Sequence, residues 1–135
     1  TNMLSAALMG ATAFQKGLGA IHALSHPIGA MYNTHHGTTN AVVMKKVLEF
    51  NKDYINNKIQ KLSNFLDIEN GFIGFTDFVE ELCNKLNIPK CLKDIGVEKN
   101  QLELVASMAI VDPTASGNPR ELTFDNTLNL LKECL

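Results

Sequence analysis

The chain has 135 residues, 45% apolar and 19% charged, which excludes an intrinsically disordered polypeptide and matches one domain in size. A formal net charge of −2 without a long basic run gives no footing for nucleic acid or for an anionic membrane surface. Cys83, Cys91 and Cys134 form an odd set with no CxxC pair, which argues against a disulfide scaffold or a zinc ribbon and suits a reducing, cytoplasmic compartment.

The chain opens on the polar pair Thr1-Asn2 rather than a charged leader, so no secretory signal is expected. Met3 to Ala30 is apolar and rich in Ala and Gly, but Gln15, Lys16, His22 and His26 interrupt it. A membrane span needs ~20 residues with few charges, so a buried helix pair is expected instead. A terminus that enters buried-type sequence at once reads as a cut through a larger protein.

Asn2 is placed to cap a small-residue helix running to about Phe14. Gly17 and Gly19 loosen the chain before a second helix through Ile21, Leu24, Ser25 and Ile28, which Pro27 should bend or reset. Tyr32-Asn33-Thr34 reads as a turn. From Thr38 or Thr39 the pattern becomes amphipathic, with Val42, Val43, Val47 and Leu48 on one face and Lys45, Lys46 and Glu49 opposite. Ile55, Ile59, Leu62, Phe65 and Leu66 mark a further helix. Glu69 to Gly74 breaks the chain, and Thr76 is expected to cap a helix that buries Phe78, Val79, Leu82 and Leu86 and closes at Ile88-Pro89. A short turn through Leu92 ends at Gly96. The next helix runs from about Lys99 to Val111, with Leu102, Val105 and Ala109 inward. Asp112 to Arg120, holding two prolines, Gly117 and Asn118, is a loop. Thr123 caps a last helix with Leu128, Leu131 and Cys134. Strand alternation appears nowhere over a convincing length, so residues 1–135 are expected to form one all-α domain.

The four histidines, His22, His26, His35 and His36, fall within fifteen residues, and such clustering asks for a cause. His22 and His26 are spaced to share one helix face about 6 Å apart. Neutral imidazole is the commonest metal ligand near neutral pH, so such a pair can share or flank one ion. The plain alternative is that a histidine on an apolar helix is a satisfied core residue. The small apolar surroundings favour the ligand reading, because buried imidazoles without partners are costly there. Gly37, after His35-His36, leaves room for close backbone approach at the start of a helix.

The run from Gly17 to Ala30, with Gly19-Ala20-Ile21-His22-Ala23-Leu24-Ser25-His26-Pro27-Ile28-Gly29-Ala30 at its heart and Asn33-Thr34-His35-His36-Gly37 after it, resembles the signature of group III, iron-containing alcohol dehydrogenases. In words it is GxxHxxxHPxGA, then HG. Leu92-Lys93-Asp94-Ile95-Gly96-Val97 and Gly117-Asn118-Pro119-Arg120 resemble later landmarks of that family, so the likeness spans essentially the whole chain. It implies an all-α helical bundle, the C-terminal metal-binding domain of a dehydroquinate synthase-like two-domain enzyme whose N-terminal domain binds the nucleotide. It implies that His22 and His36 are two of the metal ligands. His26 would be the further histidine beside cofactor and substrate, linked to proton transfer. His35 gains no role, and the loop around Thr114 is expected near the substrate pocket. The implied chemistry is hydride transfer between a small alcohol or aldehyde and NAD or NADP, with Fe²⁺, or Zn²⁺ in its place, as Lewis acid. The implied assembly is a homodimer through the nucleotide domain.

The family also uses an Asp and a His spaced DxxxH, and a glycine loop for the pyrophosphate; neither pattern occurs in this sequence. The expected function is therefore part of an iron-dependent alcohol dehydrogenase, silent as this segment alone. The alternative is a free-standing or truncated helical module that binds a metal or a partner without catalysis. A relative with altered chemistry, such as a glycerol-type dehydrogenase or a reductase of unsaturated keto acids, is a third reading, which His26 beside His22 and His36 disfavours. Lys16 reads as a solvated or interface lysine rather than a phosphate ligand, and Arg120 as a loop anchor paired with an acid. The cysteines read as small core hydrophobes.

Overall fold

The computed structural model describes residues 2–135. Helix α1 covers Asn2–Phe14, α2 Ala20–Tyr32, α3 His36–Phe50, α4 Lys52–Phe65 and α5 Gly71–Lys85. Two 3₁₀ turns follow at Leu92–Ile95 and Lys99–Gln101, then α6 at Leu102–Ile110, a third turn at Ala115–Gly117, and α7 at Phe124–Cys134. The described residues contain no strand, as the sequence pattern requires. None of their helices is long and apolar enough to cross a membrane. Thr1, half of the polar opening pair, lies outside the described residues.

Helix α2 is the centre of the bundle, packed against α3 on one side and α6 on the other, with α7 closing over α3 and α6. Its small residues make this possible. Ala20 and Ala23 are buried with Leu24 and Ile28, and Ala106 and Ala109 of α6 are buried too, so these two backbones approach closely. Val43 and Val47 of α3 and Leu131 and Cys134 of α7 complete the core, with Leu92 and Val97 from the connection before α6. Pro27 sits inside α2, which continues through it to Tyr32. Helix α2 ends at Asn33, whose left-handed backbone (φ 52°) lets its N–H reach the carbonyl of Gly29. Thr123 caps α7 as expected, in a reciprocal pair of hydrogen bonds with Asn126.

Three expectations fail for physical reasons. Helix α1 forms as predicted but buries none of its residues; Met3 is 81% exposed, and Leu4, Leu8 and Met9 are open as well. Helix α5 begins at Gly71, five residues before Thr76, because left-handed Asp67 and Asn70 reverse the chain early. Thr76 is then a buried helix residue whose hydroxyl bonds back toward Phe72 and Ile73. The α4–α5 hairpin also turns a different stripe inward. Ile59, Ser63, Phe72, Thr76 and Val79 are buried, and the Ser63 hydroxyl links Ile59 O to Gly71 O across the two helices. Leu62, Phe65, Leu66, Phe78, Leu82 and Leu86 are left exposed, since a two-helix layer can bury only the faces it turns to α3 and to itself.

This division of the core makes a direct test. Leu24→Ala removes a fully buried side chain from α2 and should cost about 3 kcal/mol in urea denaturation. Phe65→Ala, at a side chain 83% exposed, should stay within about 0.5 kcal/mol.

Candidate metal centre

His22 and His26 stand one turn apart on α2, and the corner between α2 and α3 delivers His36 to the same place. That corner is built from short polar side chains. The imidazole of His35 caps α3 by accepting the Thr38 N–H at 3.3 Å, so His35 has a local structural task. Buried Thr39 donates to the Thr34 hydroxyl at 2.7 Å and tightens the turn.

The resulting ring centroids are 5.2 Å apart for His22 and His36, 5.6 Å for His26 and His36, and 5.7 Å for His22 and His26. Two imidazoles on one cation, each bonded at about 2.1 Å, place their centroids about 4.5–5.3 Å apart. The His22–His36 separation falls within that range. Among the described residues no group of three His, Cys, Asp or Glu side chains closes on one point, so a complete coordination shell is not built here. The rings are also more open than expected: His22 is partly buried, while His26 and His36 are exposed. Deep burial does not oblige these imidazoles to find partners, because α1 buries none of its residues and the rings stay open.

Proximity still shapes their charge. Burial first, then repulsion from His36 and His26, pushes His22 below the ordinary imidazole value, against the pull of Asp112. A neutral imidazole is the form that ligates. The Asn40 carboxamide donates to His36 Nε2 at 3.1 Å, while its own Oδ1 is buried without a hydrogen-bond partner.

His26 has a partner that local sequence does not announce. Its Nδ1 lies 2.9 Å from Asp112 Oδ2, across 86 positions of chain. The other carboxylate oxygen accepts the Thr114 N–H at 2.8 Å and the Thr114 hydroxyl at 2.6 Å. Burial raises the Asp112 carboxyl, but the two bonds from Thr114 and the one from His26 outweigh it and hold the group below the ordinary Asp value. Thr114, expected near a substrate pocket, here orients the acid that meets His26.

The rest of that loop is fastened to the start of α2. A Cβ on Gly117 would collide with the carbonyl of Leu18, so only glycine allows this backbone contact. Asn118 Oδ1 accepts the Ala20 N–H at 3.1 Å and the Asn51 amide at 3.0 Å, and Asn118 Nδ2 donates back to Asn51 Oδ1 at 2.8 Å and to Arg120 O at 2.7 Å. Arg120 anchors the loop as expected, although its partners are the Phe50 carbonyl at 3.2 Å and the Phe50 ring at 4.1 Å rather than an acid. An open cleft of about 330 Å³ lies beside His22, between the Gly17–Gly19 linker, α3 and this loop. Lys16 is exposed, and burial pushes the Cys134 thiol up to about 12, leaving it an inert neutral thiol.

Comparison with known proteins places this geometry in a family. The model for the Fe-containing alcohol dehydrogenase family, C-terminal, matches residues 1–135. A 4-hydroxybutyrate dehydrogenase of Cupriavidus necator is 34% identical over 99% of this chain and 37% of its own length. Lactaldehyde reductase of Escherichia coli K12 is 32% identical over 84% of this chain and 32% of its own. The crystal structure of a 1,3-propanediol oxidoreductase superposes with a TM-score of 0.82 at 25% identity, covering 87% of this chain and 33% of that one. The chain thus spans about a third of the length of the relatives it matches.

Asn118→Ala should lower stability by about 1–3 kcal/mol, because it strands the Ala20 N–H and the Asn51 amide; chemical denaturation reads this directly. Asp112 gives a pH signature. Its folded-state pKa is depressed, so its contribution is present above the ordinary Asp value (~3.9) and fades as pH falls through the lower folded value. Asp112→Asn should flatten that acid limb in denaturation midpoints measured from pH 6 to pH 2 (roughly the span over which an Asp loses its charge).

Proposed function

Since the chain belongs to the Fe-containing alcohol dehydrogenase family, as its C-terminal helical domain, we propose that it forms the metal-holding wall of the cleft in a nicotinamide-linked dehydrogenase of small alcohols and aldehydes. The observation that carries this reading is the 5.2 Å approach of the His22 and His36 rings at the corner of α2 and α3. His22 and His36 are the two ligands supplied from this side. The remaining ligands, an Asp and a His spaced DxxxH on another helix, and the nucleotide site are supplied from outside these residues, and that further chain would also cover the apolar surface of α1. Bound there, a divalent cation, Fe²⁺ in preference to Zn²⁺, supplies Lewis-acid polarisation of the substrate oxygen.

This chain's own residues do the rest. The lowered pKa of His22 keeps its ring neutral and able to ligate near neutral pH. Asn40 holds the His36 ring through Nε2, and His36 would be free to ligate a cation on release of that bond. His26, beside both rings and partly exposed, moves the proton that leaves or rejoins the substrate hydroxyl and would lie against the cofactor, NAD or NADP. The substrates named for these relatives, 4-hydroxybutyrate, lactaldehyde and 1,3-propanediol, support a short alcohol or aldehyde.

Metal content decides the matter. Protein comprising this chain and its nucleotide-binding domain should retain about one divalent ion per subunit after dialysis. Replacing His22 or His36 by Ala should weaken retention at least about tenfold, and unchanged metal in both variants would sink the reading. The 135-residue chain alone should produce no NADH from short alcohols, since its sequence has neither a DxxxH pair nor a glycine loop for the pyrophosphate; measurable turnover by it would be incompatible with a divided site.

A further inference from the structure

The His26 side chain is 42% exposed, so packing alone does not fix its ring, whereas the Asp112 side chain that meets it is only 12% exposed. Asp112 itself has little freedom. Both donors of Thr114 converge on Oδ1, which leaves Oδ2 directed at His26 Nδ1. An Asp that bonds a residue two positions on is a common local turn device and needs no further purpose. Here, however, the second oxygen reaches an imidazole 86 positions away at 2.9 Å, and the loop bearing it is pinned independently. Asn118 holds the Ala20 N–H at the start of α2, the helix that carries His26, and Gly117 abuts Leu18 just before it. The carboxylate and the imidazole therefore share one frame, fixed at two places.

We infer that Asp112, oriented by Thr114, is the positioning residue that holds the His26 ring as its Nδ1–H tautomer and leaves Nε2 as the open acceptor. A carboxylate only accepts, so a ring nitrogen bonded to it must carry the proton, and the other nitrogen of the neutral ring keeps its lone pair. His22 and His36 are the other titratable groups that face this ring, and neither is a carboxylate able to impose the opposite tautomer. The functional meaning rests on the proposed proton-transfer role of His26; the tautomer itself does not.

The test is a long-range ¹H–¹⁵N correlation spectrum of the uniformly ¹⁵N-labelled chain at about pH 8.5, where ordinary imidazoles are neutral. In the unsubstituted chain His26 should appear as the Nδ1–H tautomer alone. Asp112→Ala should release the ring to a mixture and lower the Nδ1–H to Nε2–H ratio at least about tenfold. Asp112→Asn, whose single oxygen stays with the two Thr114 donors, turns its NH2 toward the ring and should shift His26 to the Nε2–H form. A mixed or Nε2–H ring in the unsubstituted chain would overturn the inference without recourse to any variant. So would an unchanged ratio in a folded Asp112→Ala chain. The measurement needs neither metal nor nucleotide, so its failure is separable from failure of the ligand reading, which the metal content of His22 and His36 variants decides.

Discussion

Asn118 and Asn51 face each other with both amides reversed, each donating to and accepting from the other, while the same Asn118 oxygen takes the Ala20 N–H and the same nitrogen serves Arg120 O. One carboxamide thereby joins the start of α2, the junction of α3 and α4, and the loop after α6. Each bond is worth about 1 kcal/mol, so the set does not rival the apolar core in stability. Its weight lies in geometry. Hydrophobic burial is non-directional and would tolerate small slides of α2 against the loop, whereas these bonds permit one arrangement. The placement of Asp112 opposite His26 depends on it.

The histidine group combines order with openness. Three rings lie within 5.7 Å of one another, yet two of them are exposed and none is locked inside the core. Mutual repulsion among protonated rings would push them apart, and the lowered pKa of His22 removes part of that cost. Such an arrangement makes physical sense as one wall of a site. A wall needs fixed donors and room on its open side, and the uncovered apolar length of α1 lies on the same stretch of chain. Relatives about three times as long as this chain are consistent with a second wall.

Local patterns were legible where one residue does one job. Thr123 before an amphipathic run, Asn33 after α2, and Val43 and Val47 on α3 all behave as their spacing says. The pattern was ambiguous where apolar residues outnumber the surface available to bury them. Helix α5 offers Phe72, Phe78, Val79 and Leu82, and only packing against α4 and α3 selects Phe72 and Val79. Thr76 misled because a threonine that caps a helix and one that bonds back inside it look alike in sequence. In the site, His22, His26 and His36 stood out by clustering, but Asp112 did not. An acid at the end of one helix meets a histidine on another only after the bundle has formed, and Asp112-Pro113-Thr114 reads simply as a turn. Asn51 and Asn118 were hidden for the same reason.

The contact between Gly117 and Leu18 is backbone on backbone, with no side chain between to yield. Soft side-chain contacts absorb displacement by changing rotamer, but here nothing can take up slack. Leu18 and Gly19, which lead into the buried α2, are thus held in close register with the loop that carries Asp112. Any residue with a Cβ at position 117 would have to lift the loop off the entrance to α2, and the Asp112 carboxylate would leave His26 with it.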